Sequence, residues 1–296
     1  MKNHANPIKL LISTIVVLSC LASLCLPAFA ATFADVPQNH WARNYIDNIS
    51  EKGYMVGRGT ASGVLFEPDG NILGSEVYET LYRLADGKYA ADSYKENFIM
   101  VDSAKNMWYS DSYEWAMKNG IAEVGYHDFS GIADGGPDDQ YYLYSARHGS
   151  SYSPIDLRNN QYIPDELQGA FSGDDTMKKA TRSDVVMILY FYMTTYLGIK
   201  VTETADLSSF SDWNYDDFKS DRVSISFMSN SLFLNVYTEE YIAAWEWAVG
   251  SVIIKGCGDG TLAHKRASIN EPWNYITRAE YATILIRFMD YLEATT

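Results

Sequence analysis

Apolar residues recur at helical spacing in three stretches of the chain. Val77, Leu81, Leu84 and Ala85 form the first. Val185, Ile188, Leu189, Tyr192 and Tyr196 form the second, and Tyr281, Ile284, Leu285, Phe288 and Leu292 the third. Steps of three and four put each set on one face of an α-helix, so three helices with a buried face are predicted. A short polar motif precedes each: Ile72-Leu73-Gly74-Ser75-Glu76, Ala180-Thr181-Arg182-Ser183-Asp184 and Ile276-Thr277-Arg278-Ala279-Glu280. Two further stretches have helical spacing, Trp41, Tyr45, Ile46, Ile49 and Trp108, Ser112, Trp115, Ala116. Gly53 and Gly120 follow them as helix C-termini.

These stretches belong to a repeat. Asp35 and Trp41 have the spacing of Asp102 and Trp108, and Gly53 and Gly120 keep the same offset of 67 residues. A third copy opens at Phe210-Ser211-Asp212. Its helix is delayed by an insertion, and Trp247-Ala248 matches Trp115-Ala116. Each copy reads as helix, Gly/Asp-rich loop, helix. One such pair cannot bury its apolar faces alone, whereas three pairs around a shared centre can. The expected fold is mainly α, with three pseudo-symmetric helix-loop-helix repeats packed around a central helical bundle. Their expected bounds are 31–92, 98–198 and 205–293. Long insertions lie near 126–177 and 213–240, and loops of that length are uncommon. The acidic run 134–139 lacks the Asp/Asn-Gly-Glu pattern of an EF-hand, so a solvated loop is expected there.

Residues 1–30 stand apart. Lys2 and Lys9 precede the apolar run Leu10 to Leu26, and Ala28-Phe29-Ala30 ends it with a small-x-small site. This pattern predicts a secretory signal cleaved after Ala30. Lipidation at Cys20 is the alternative. No later stretch is long and apolar enough to span a bilayer, and no sorting-type tail follows Leu292, so surface retention is expected to rest on the folded part. With Cys20 and Cys25 in the signal, Cys257 is left single. It is expected to be a small buried residue between Gly256 and Gly258.

Charge narrows the partners. Lys and Arg number 23 against 38 Asp and Glu, a formal net charge of −15. A nucleic-acid partner needs a basic footprint, so this class is excluded. An anionic ligand must be held by local, well-placed donors. The motifs supply candidates. Thr277 with Glu280, and Thr181 with Asp184, read as capping boxes, which puts Arg278 and Arg182 at the first helical position. Free backbone N–H groups and the positive helix end converge there, and a guanidinium beside them suits a carboxylate. The bland reading is that the threonines only start helices and the arginines only pair with nearby acids. Asp35, Asp102 and Asp212 can likewise be turn caps. Trp41 and Trp108, at helical spacing, can be core wedges.

Taken in order, Phe33-Ala34-Asp35-Val36, a Trp, Gly258-Asp259-Gly260-Thr261-Leu262 and Ile276-Thr277-Arg278-Ala279-Glu280 resemble the S-layer homology domain. The resemblance implies three such domains in a three-pronged spindle. It also implies non-covalent cell-wall attachment by binding secondary cell-wall polysaccharide, often pyruvylated, in grooves between repeats. On that reading Arg278, Arg182, Thr277, Thr181, Glu280, Asp35, Asp102, Asp259 and Gly260 are polysaccharide-binding candidates, and Trp41 and Trp108 pack on a sugar face. The first repeat departs from the family pattern. Leu73-Gly74-Ser75-Glu76 lacks the arginine, and the groove that would use it is expected to be weakened.

A wall-targeted glycan-active enzyme is the competing class. No HExxH, GxSxG, P-loop or Cys–His nucleophile pattern occurs, and His40, His127, His148 and His264 have no metal-ligand spacing. The expectation is a secreted cell-surface protein that is not an enzyme and uses no cofactor or metal. A role in surface-layer assembly, with the insertions touching other surface proteins, is compatible with it.

Overall fold

A computed structural model describes residues 33–60, 63–90, 107–122, 124–127, 141–144, 179–217, 222–223, 236–262 and 275–295. The expected signal segment, Asp102 and most of both expected insertions lie outside these residues.

The described part is mainly helical. Its six α-helices are α1 (Arg43–Glu51), α2 (Gly74–Leu84), α3 (Ser110–Lys118), α4 (Arg182–Phe191), α5 (Thr238–Gly250) and α6 (Arg278–Thr295). A π-helical turn, Tyr192–Tyr196, extends α4. Strands are short and paired in twos, such as Arg58–Thr60 with Gly63–Leu65 and Val124–His127 with Tyr141–Tyr144.

The predicted stripes are the buried faces. Val77, Leu81, Ile188, Tyr281, Leu285 and Phe288 lie in one core, joined by Trp115, Trp245 and Trp247. Trp115 and Trp247 occupy matching places. Trp115 sits edge-on to Tyr196, and Trp247 edge-on to Tyr190 and Phe288. The helix α4 is buried on nearly every side, as a central helix must be.

The most extensive helix contacts join helices of different expected repeats. α1 packs on α6, α3 on α2, and α5 on α4. The residues before α2, α4 and α6 close this arrangement into a ring. Ile72 N–H donates to Ile276 O at 3.0 Å, Ile276 N–H to Ala180 O at 3.0 Å, and Ala180 N–H to Ile72 O at 2.9 Å. Isolated bridges flank the ring, Asn71 with Thr277, Leu73 with Lys179 and Thr181 with Tyr275. Side chains alternate along an extended segment, so Ile72, Ala180 and Ile276 go into the core while Asn71, Leu73 and Lys179 face outward. Segments more than 90 residues apart in sequence thereby share one set of backbone hydrogen bonds.

Helix ends follow the glycine expectation in two places and break it in a third. Gly53 and Gly120 have φ of 75° and 69°. After α5 the matching position is Val252, at φ 63° and 52% exposed. Its neighbours make the same closing bonds, Val252 N–H to Val249 O and Ile254 N–H to Ala248 O. A β-branched residue is therefore held where an L side chain is strained.

Two sequence expectations are corrected. Trp41 and Trp108 are not core wedges: they are 60% and 55% exposed. The helices begin at Arg43 and Ser110, so each Trp precedes its helix and lies off the buried face of Ile46 and Ile49, or of Ser112 and Trp115. Cys257 is exposed instead of buried. Its N–H closes on Thr261 O at 2.8 Å in a surface turn with Gly258 and Gly260 at positive φ, which leaves the thiol outside.

Candidate functional site

A groove of about 790 Å³ opens beside the start of α2. Residues 54–58, after α1, form one wall. Asn71, Leu73, Glu76, Glu79, Thr80 and Arg83 form the α2 side. The neighbouring units add Trp108, Lys179 and Arg278. Arg58, Arg83, Lys179 and Arg278 thus face Glu76 and Glu79, a locally basic lining on a chain of net charge −15.

Arg278 sits at the first position of α6, as predicted, but its side chain is only 3% exposed. It crosses to the segment 56–76, where each of its three nitrogens donates a hydrogen bond. Nε donates to Phe66 O at 2.7 Å, Nη2 to Val56 O at 2.8 Å, and Nη1 to Glu76. Its guanidinium carbon lies 4.9 Å from the centre of the Phe66 ring. Burial pulls its pKa below the ordinary arginine value, and the adjacent Glu76 opposes that pull.

Glu76 organises the groove floor. Oε2 accepts from Leu73 N at 3.0 Å, the carboxylate half of a capping box. Leu73 has no side-chain oxygen to supply the other half. Oε1 accepts from Arg278 and from Arg58 Nη2, the latter at 2.8 Å. Arg58 also pairs with Glu67, and its side chain is 38% exposed. Burial opposes its charge, but Glu76 and Glu67 outweigh burial and raise its pKa. Arg83 is tied to Glu79. Among the described residues no carboxylate pairs with Lys179, whose ammonium lies 5.5 Å from the centre of the Tyr275 ring.

The other candidates fall in two groups. Thr181 and Thr277 do cap their helices: Thr181 Oγ1 accepts from Asp184 N at 3.1 Å, and Thr277 Oγ1 from Glu280 N at 3.2 Å. Arg182 repeats the behaviour of Arg278 less completely. Its Nη2 reaches Glu280 at 3.2 Å, and its buried Nε has no hydrogen-bond partner among the described residues. Asp35 ties down the loop before α2 by accepting from Phe66 N and Glu67 N at 2.9 and 2.6 Å. Asp212 makes the matching bond with Leu262 N at 2.7 Å. Asp259 holds its own turn, accepting from Thr261 N at 3.0 Å, with Gly260 O bonded to Ser211 N. Trp41 stacks on His40, outside the groove lining. Of the sequence-predicted residues, the groove therefore gathers Arg278 and Trp108.

Close packing repeats in the same way. A Cβ on Gly57 would meet Phe33 at 2.5 Å, and one on Gly256 would meet Phe210 at 2.8 Å. The Phe-x-Asp opening, the loop glycine and the aspartate-bound loop amide thus form one arrangement, present at 33–66.

Residues 32–77 match the S-layer homology domain. No curated protein matches the chain. The S-layer homology match covers α1, the loop and the first turn of α2, and so one whole wall of the groove. It supports attachment at the cell wall or cell surface. Among the described residues no helix is long and apolar enough to cross a membrane.

Sequence reasoning missed Arg58, Lys179, Asn71 and the role of Arg83. Lys179, Asn71 and Tyr275 all stand two residues before a helix N-cap, and that shared position was the available signal. The arginine absent at Gly74 is not missing from this groove, because each motif arginine reaches the first turn of another helix. Arg278 serves Glu76, and Arg182 serves Glu280.

Proposed function

We propose that the chain is an exported protein of three divergent S-layer homology repeats that holds itself non-covalently to a secondary cell-wall polysaccharide. The groove beside α2 is the binding site. The observation that carries this reading is a basic, Trp-edged groove on an acidic chain, walled by the segment with the S-layer homology match. The closed hydrogen-bond ring and the matching Asp35 and Asp212 loops favour three repeats over one. Trp108 suits a sugar face, since an indole is apolar and flat with a polar edge. The cations suit an acidic substituent such as a pyruvate ketal carboxylate.

A binding role fits the groove better than hydrolysis. A glycosidase needs two carboxyl groups free to give and take protons. Glu76 and Glu79 are instead locked to Arg278, Arg58 and Arg83. Co-sedimentation with bacterial cell walls tests the proposal. The protein sediments with intact walls and stays in solution once the secondary polymer is stripped. Equal sedimentation with both overturns the reading, and release of reducing sugar from wall fragments would favour the enzyme.

A further inference from the structure

Four cations line the groove, and they are not equivalent. Arg278 is buried, with its side chain only 3% exposed, and each of its three nitrogens already donates, to Phe66 O, Val56 O and Glu76. Arg83 is bound to Glu79 through Nε and Nη2, and its Nη1 turns to the carbonyls of Gly53 and Tyr54. Lys179 is exposed and meets no carboxylate among the described residues. Arg58 is more than a third exposed and shares its charge with two acids.

Lys179 is also placed by backbone, not by chance. It bridges Leu73, the residue before α2, so it comes from a distant part of the chain yet is fixed at the groove's edge. Asn71, on the same outward face of the ring, lines the groove beside it. Trp108 stands exposed in the same lining, set edge-on to Tyr109 at 5.3 Å.

We propose that Lys179 and Arg58 are the residues that grip an anionic group on the glycan, with Trp108 beneath a sugar ring, while Arg278 is a positioning residue that never touches the ligand. This inference rests on the wall-binding reading above. Arg278 fixes Glu76, and Glu76 fixes Arg58. Lys179 supplies a charge that no carboxylate among the described residues neutralises. The anionic group is a carboxylate or a phosphate, both of which an ammonium and a guanidinium bind.

The test uses the whole exported chain and cell walls that retain their secondary polymer. Lys179→Met keeps the side-chain length and removes the charge. It is expected to weaken wall binding at least about tenfold, the size of one lost charge-assisted hydrogen bond. Lys179→Arg keeps most of the binding, Arg58→Gln loses it to a similar degree, and Lys255→Met, outside the groove lining, leaves it unchanged. Melting curves confirm that each variant is folded. Two treated wall preparations separate the sources: reduction of carboxyl groups abolishes binding to a carboxylate glycan, and hydrofluoric acid abolishes binding to a phosphate glycan. Undiminished binding by folded Lys179→Met, or binding that survives both treatments, overturns the inference while leaving wall attachment standing. Failure of the wild-type chain to sediment with intact walls removes the wall-binding reading itself.

Discussion

At the scale of single residues, the same side chain can be legible in kind and misread in role. Thr181, Thr277 and Glu280 were readable as caps because a capping box is a local pattern, and local bonds decide it. Arg278 was readable as the first helical residue but not as a buried strut. Its partners, Phe66 O, Val56 O and Glu76, are about 200 residues away, and no local pattern encodes them. Trp41 and Trp108 misled because spacing alone extends a helix past its true start. Val252 is the clearest residue-scale anomaly. A valine at φ 63° costs roughly 1–2 kcal/mol against an unstrained site, and its half-exposed side chain returns little burial. Val252→Gly should therefore stabilise the protein by about 1 kcal/mol, read as a shift in the denaturant midpoint at constant slope.

Elements are held to one another by buried hydroxyls as well as by apolar faces. Tyr241 on α5 is stacked on Trp213 and hydrogen-bonded at 3.2 Å to Ser183 on α4. Tyr281 on α6 is bonded to Thr80 on α2. Burial pushes the Tyr241 phenol up to about 12, with Ser183 opposing, and it raises Tyr281 and Tyr192 as well. A raised pKa favours the neutral phenol in the folded state. Stability from this source is complete below pH 10, where the unfolded tyrosines are also neutral. It falls as the pH rises through 10 towards 12, because only the unfolded chain then ionises. The expected result is an alkaline loss of stability of about 1.4 kcal/mol per pH unit for each such tyrosine, with the 295 nm phenolate signal appearing together with unfolding. Phenolate appearing well before unfolding would contradict the buried placement.

For the whole molecule, the consequential feature is contact between segments far apart in sequence. The helical stripes made a mainly α architecture legible, and the insertion-delayed helix expected after Phe210-Ser211-Asp212 was legible through Trp247, which lies on α5. The partner of each helix was not. Pairing α1 with α6 and α3 with α2, and closing the ring through Ile72, Ala180 and Ile276, depends on contacts that only the assembled chain defines. The groove is a product of that assembly, since its lining comes from segments around residues 56, 76, 108, 179 and 278. Arg278→Met should therefore cost about 3–5 kcal/mol, the usual loss when one partner of a buried ion pair is removed. Arg182→Met should cost less, because among the described residues its side chain makes one contact, at 3.2 Å, and its Nε is unsatisfied. Urea unfolding of both variants measures the difference.

The central claim is that the wall polymer lies in the groove beside α2. Hydrogen exchange of the whole chain, with and without soluble polymer released from the walls, tests it most directly. The account predicts slower amide exchange at 54–58 and 71–76 on adding polymer, with 251–257 unchanged. Polymer binding with protection confined to other segments would contradict it.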